Sequence, residues 1–223
     1  MKAYKLFPFI AVFISAVSLA QTTTTELVFS GGLTIGSLRG NEFVKEYKKP
    51  LASFAANALV KFPVANNLNI VTGLQYERLG IQMKDVIFTD GVGSNYGRGT
   101  IKDLLHYASI PAYLEYNVGN KIRFGFELGG FGSILLKHST TVDISQTNVV
   151  PNSEPIFFVG EVDDNDVNAG LLFGINAQIP LGTHKLQIGI RDQYGLVNLN
   201  TVSIDDPTKT NLIFAYAGLT IKL

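Results

Sequence analysis

The chain has 223 residues, of which 46% are hydrophobic and only 16% charged, with 18 basic and 18 acidic residues and no cysteine. Charge is low beside the roughly 25% of an average soluble domain, which favours burial or lipid contact. The missing cysteines exclude disulfide frameworks and Cys-based metal or redox sites, the charge balance is not that of a nucleic-acid-binding protein, and the length allows one or at most two domains.

Residues 1–20 combine a basic start (Lys2, Lys5), an apolar run over 6–14 and the small-residue end Ser18-Leu19-Ala20. This is the anatomy of a secretory signal peptide cleaved after Ala20. The stretch 6–20 contains Pro8 and two serines, Ser15 and Ser18, and is shorter than the roughly 20 residues of a spanning helix. Lys2 and Lys5 account for two of the 18 basic residues and the leader contains no acid, so the mature chain, 21–223, is net −2. Beyond the leader no apolar run is long enough for a transmembrane helix.

Eight segments then alternate apolar and polar residues with period two, the signature of strands with one face of each kind. They cover 26–38, 53–62, 67–83, 105–117, 121–136, 167–179, 184–199 and 210–223. Connections after the second, fourth and sixth segments are short (63–66, 118–120, 180–183). Those after the first, third, fifth and seventh are long and polar (39–52, 84–104, 137–166, 200–209). An even number of antiparallel strands with alternating short and long connections predicts an all-β, eight-stranded, up-and-down transmembrane barrel, with short periplasmic turns and long extracellular loops.

A soluble lipocalin-like barrel would show the same alternation with the apolar row inward. The glycines oppose it. Gly125, Gly129, Gly170, Gly174, Gly189 and Gly195 fall on the more polar rows, where a wet strand gains nothing from them, whereas inside a narrow barrel small residues make room for long neighbours. Gly130 and Gly132 are exceptions on the other row. The apolar rows therefore face lipid, for example Phe54, Ala56, Ala58, Val60 and Phe62 in the second segment, and Leu171, Phe173 and Ile175 in the sixth. Asp192 is the misfit on an outward row and must lie near an interface.

With that facing, the inward rows take in Lys61, Gln75, Glu77, Glu115, Arg123, Glu127, Gln178, Gln187, Arg191, Gln193 and Lys222, four bases against three acids. Confined charges must pair, which predicts a network of Lys61, Glu77, Glu115, Arg123, Glu127 and Arg191 filling the interior; eight strands leave just enough room for side chains. Such a barrel is no general diffusion pore.

His106, Ser109 and Glu115 include the residue types of a hydrolytic triad. His106 and Ser109 are three positions apart, however, and point to opposite faces of a strand, so no catalytic residue is assigned and a membrane hydrolase is a minor alternative. The three histidines cannot form a metal cluster, and no cofactor is expected. Asp163-Asp164-Asn165-Asp166 lacks the spacing of a calcium loop and is read as a solvated loop. Gly91 to Gly99 joins no strand to a helix and is read as a flexible loop. In the longest loop, Thr141 to Val150 and then Ile156-Phe157-Phe158-Val159 are read as a hairpin extension of the fifth and sixth strands, and Ile156, Phe157, Phe158 and Val159 double as the best candidate contact for a partner. Expected partners are outer-membrane lipid and other envelope proteins, with no nucleic acid.

The segment Tyr107-Ala108-Ser109-Ile110-Pro111-Ala112-Tyr113-Leu114-Glu115-Tyr116-Asn117 resembles the Tyr-Leu-x-Ile-Pro-x-x-x-x-Tyr segment of the PorT-like outer-membrane β-barrel proteins of Bacteroidota. Tyr107, Ile110, Pro111 and Tyr116 match, and Ala108 replaces the family's leucine. Gly170 to Gly182 is similar to that family's glycine-rich strand ending in Pro-Leu-Gly. The resemblance implies fold and location rather than an activity, and brings no active-site residues. It also implies an alternative role as an accessory of a secretion or transport apparatus, the setting of the family's namesake. The terminal Leu223 departs from the aromatic residue that ends many such barrels.

Overall fold

The computed structural model describes residues 24–40, 48–89, 95–147, 166–199 and 208–223. The leader, Ile156 to Val159 and Asp163 to Asn165 lie outside the described residues. Eight strands form one closed antiparallel barrel in chain order: β1 (Glu26–Arg39), β2 (Lys48–Ala65), β3 (Leu68–Thr89), β4 (Asn95–Val118), β5 (Arg123–Thr147), β6 (Val167–Leu181), β7 (His184–Gly195) and β8 (Lys209–Lys222). The ring closes where β1 pairs with β8 from Glu26↔Lys222 to Arg39↔Lys209. Closure leaves no sheet edge, the condition for crossing lipid with strands. Among the described residues no helix is long and apolar enough to cross a membrane.

Facing follows the period-two pattern. In β4, Tyr107, Tyr113, Glu115 and Asn117 are buried, while Ile110, Leu114 and Tyr116 alternate with them and are exposed. In β5, Phe124, Phe126 and Leu128 are exposed and Glu127 is buried between them. Because the exposed rows are aliphatic and aromatic, this is an inside-out pattern, with the large apolar side chains in lipid and the polar ones within. Asp192 stays on the outward row of β7, half-buried between Phe173 and Ile213 of the neighbouring strands.

At one end of the barrel the turns are tight, two residues each at Asn66-Asn67 and Gly182-Thr183, with four at 119–122. Gly119 (φ 106°) and Gly182 (φ 61°) supply there the left-handed backbone that other residues adopt only with strain.

The long-loop end differs from the sequence expectation in two respects. First, β3, β4 and β5 run to 22, 24 and 25 residues against 12 to 15 for β1, β6, β7 and β8. Pairing such as Thr89↔Asn95 and Gly97↔Thr147 carries the ladder far beyond the apolar rows, so Asn95 to Gly99, expected as part of a flexible loop, is strand. The upper part of β5, from Leu135 to Thr147, pairs with β4, and the expected partner segment Ile156 to Val159 lies outside the described residues. Second, β7 ends at Gly195 rather than reaching Leu199, because Leu196 and Val197 both donate to the Ala169 carbonyl, at 2.8 and 3.4 Å, and the ladder stops.

Candidate functional site

The interior is densely hydrogen-bonded and is built in levels from the short-turn end upward. At the lowest level, Lys61 of β2 donates to both carboxylate oxygens of Glu115 of β4, at 2.8 and 3.0 Å. Glu115 also accepts from Asn69, Asn117, Gln178 and Asn176 at 3.1, 2.9, 3.1 and 3.2 Å. Both charged groups are removed from solvent. Isolated, each would cost several kcal/mol at least, and the amide donors on β3, β4 and β6 saturate what the ammonium leaves unmet.

One level up, Arg191 of β7 donates through Nε to Glu127 Oε2 at 2.8 Å, and through Nη2 to the Tyr113 hydroxyl at 2.7 Å. Its guanidinium lies over the rings of Tyr113 and Tyr216, 4.6 and 5.2 Å from their centroids. Glu127 Oε1 accepts from Tyr216 at 2.8 Å and from Asn176 at 2.9 Å. Since Asn176 Nδ2 also donates to Glu115, this one amide on β6 joins the two ion pairs into a single network.

Above it, Glu77 of β3 accepts from Ser109 at 2.7 Å, from Ser133 at 3.4 Å and from Gln75. Among the described residues no basic side chain lies within ion-pair distance of it. Beside it is a cavity of about 10 Å³, lined in part by Asn168 and Gln193. Both amide atoms of Gln193 and Oδ1 of Asn168 are buried there without a hydrogen-bond partner. The volume matches about one water, and the lining offers the polar partners a water requires. Leu79, Ile81, Leu105, Tyr107 and Leu212 pack across the lumen above the cavity, and Leu38 and Leu135 back them.

Two expected members are elsewhere. Arg123 is only half-buried at the short-turn rim, where Nη2 donates to Asn67 Oδ1 at 3.1 Å, and it meets none of the three buried glutamates. Lys222 occupies an inward register position opposite Glu26 but is exposed, because it is the last residue of β8. The enclosed set is therefore two bases, Lys61 and Arg191, against Glu77, Glu115 and Glu127, so the expected excess of bases is reversed. Glu26 at the same rim pairs instead with Lys185, at 2.6 Å.

Tyr113, Tyr216 and Asn176 were not among the expected charge partners. They sit on inward rows already recognised as such, but tyrosine and asparagine are neutral, and charge balance alone points only to Lys, Arg and Glu. His106 and Ser109 are not brought together: His106 Nδ1 is 2.6 Å from the Tyr76 hydroxyl on the outer face, whereas Ser109 is inside with Glu77. Among the described residues no three His, Asp or Glu side chains are grouped to hold a metal ion. Interlocked ion pairs, an apolar layer and a water-sized space between them can stiffen a barrel and fill its interior.

A family profile described as "Outer membrane protein beta-barrel domain" matches residues 19–200. No curated protein matches the chain. Among solved structures, the chain is similar to Ail, the attachment invasion locus protein of Yersinia pestis, at 12% identity and a TM-score of 0.42, over 89% of this chain and 100% of that one. It is similar also to Neisserial surface protein A, at 13% identity and a TM-score of 0.43 over 89% and 97% of the two chains. A third is the outer membrane protease OmpT from Escherichia coli, at 9% identity and a TM-score of 0.45 over 90% and 97%. With most of its length matched by the family profile and its eight strands closed into a ring, the chain belongs to the outer membrane protein beta-barrel domain family.

Proposed function

We propose that this barrel is a closed, rigid outer-membrane scaffold that presents its long-loop end to a partner outside the cell. The observation that carries this reading is the contrast between the two ends of the lumen axis. The interior is filled by the Lys61–Glu115 and Arg191–Glu127 network beneath an apolar layer, whereas β3, β4 and β5 continue as a three-stranded sheet beyond the lipid-facing rows. Material spent on a sealed core and a tall outer sheet supports display rather than conduction. The contact is proposed to include Ile156, Phe157, Phe158 and Val159 in the longest loop.

A photo-crosslinking residue at position 158, activated in intact cells, tests this. A specific adduct that disappears when the probe is moved to an inward position such as Gln187 supports the loop as a contact, and the absence of any adduct from 158 refutes it. The segment Tyr107 to Asn117 favours a second reading, an accessory of a secretion or transport apparatus. That reading predicts co-purification of other envelope proteins in mild detergent.

A further inference from the structure

On the outer face, three basic residues fall on one line across adjacent strands. Arg78 of β3 pairs in register with His106 of β4, and His106 pairs with Lys137 of β5. A bulge between His106 and Tyr107 takes up one residue of β5, with Tyr107 opposite Leu135. It turns Lys137 onto the same face as His106. Neighbouring strands lie about 4.8 Å apart, so the three Cα atoms span about 10 Å. Among the described residues no carboxylate is within ion-pair distance of any of the three, although Lys102, higher on β4, is paired with Asp143 at 2.8 Å. The Arg78 Nε is buried without a hydrogen-bond partner.

The height of the line is set by geometry. His106 is ten residues above Tyr116, the exposed aromatic near the short-turn end of β4, and Arg78 is ten above Leu68 at the start of β3. At about 3.4 Å per residue and a tilt of about 40°, ten residues rise about 26 Å. An outer-membrane barrel's apolar band is about 25 Å tall and is bordered by aromatic girdles. Phe54 and Tyr76 form such a border here. Their rings are 5.8 Å apart, the Arg78 guanidinium lies 5.1 Å over Phe54, and the Tyr76 hydroxyl meets His106 Nδ1. The Tyr76 hydroxyl can donate to Nδ1, the arrangement that leaves the imidazole hydrogen on Nε2 as a donor.

We infer that Arg78, His106 and Lys137 form a lipid-facing site for the phosphate group of an anionic lipid in the leaflet at the long-loop end of the barrel. A phosphate presents several acceptor oxygens, which suit the fork of an arginine flanked by a lysine and an imidazole donor. A lipid rather than a soluble anion is the occupant because the three side chains stand on the face that lies against acyl chains, directly above the aromatic border.

The purified barrel in mixed micelles of phosphatidylcholine and phosphatidic acid, examined by native mass spectrometry, provides the test. Phosphatidic acid should be retained in preference to phosphatidylcholine. The variant R78Q/K137Q should lose that retention by about tenfold or more, as expected from removing two charges at the headgroup level. K102Q should keep it, and all three proteins should show the same heat-dependent gel shift of a folded barrel. Equal retention by R78Q/K137Q overturns the inference. So does displacement of the lipid by excess inorganic phosphate, which would mark a soluble-anion site.

Discussion

Replacing Glu127 with glutamine should destabilise the barrel far more than the same change at Glu77, although both carboxylates are buried at adjacent levels of the lumen. Glu127 accepts the 2.8 Å charged bond from Arg191 Nε. In E127Q that guanidinium keeps the Tyr113 hydroxyl at 2.7 Å and its two aromatic faces, but it loses its counter-charge. Breaking one side of a buried pair costs about 3–5 kcal/mol, and the retained contacts place E127Q near the lower end, about 3 kcal/mol. Glu77 has neutral donors alone, Ser109, Ser133 and Gln75. E77Q keeps an oxygen for Ser109 and loses about one hydrogen bond, about 1 kcal/mol. With a urea slope of about 2 kcal/mol per molar, the midpoints should fall by about 1.5 M and about 0.5 M respectively. The chain has no tryptophan, so the assay is urea titration in lipid vesicles read by the gel-mobility difference between folded and boiled protein. The double variant E127Q/R191M, which removes the stranded cation, should recover at least half of the loss. If E77Q falls as far as E127Q, or if the double variant shows the sum of the two single losses, the assignment of Arg191 and Glu127 as a mutually dependent pair is wrong.

Other outcomes follow from the same geometry. E115Q should resemble E127Q, with a loss of about 3 kcal/mol from stranding Lys61, and K61M/E115Q should be milder in the same titration. Gly129 faces inward, and a Cβ there would meet the Ala112 carbonyl oxygen at 2.3 Å, whereas at Gly132, on the outward row, a Cβ meets nothing within 4 Å. G129L should therefore abolish the folded gel band while G132L retains it. Leu128 is exposed on the outward row between Phe126 and Gly130, and L128R should cost about 2–4 kcal/mol in vesicle unfolding if it sits near the midplane of the bilayer. In planar bilayers the wild-type protein should show no large, stable conductance steps, and such steps would contradict a lumen closed by the network and the Leu79–Leu212 layer.

Which face each residue takes could be read directly from the chain, because side chains alternate along a strand whatever its neighbours do. The largely apolar outward rows, the glycines that relieve a narrow interior and the alternating connection lengths together pointed to a closed eight-stranded barrel over 26–223. They also placed Lys61, Glu77, Glu115, Glu127 and Arg191 on inward rows. Alternation carries no information about height, however. The level of a side chain depends on tilt and on the stagger between neighbouring ladders, and these emerge only when eight registers close on one another. For that reason Arg123 and Lys222 share the inward parity of Glu127 and Tyr216 yet end at the rim. The same ambiguity hid the great length of β3, β4 and β5, whose polar upper parts are strand because they pair with one another rather than because they bury a face. The registers Arg78↔His106 and His106↔Lys137 likewise bring together bases from three separate segments. Composition and periodicity determined the barrel and its two faces; only closure of the ring decided which residues meet at each level.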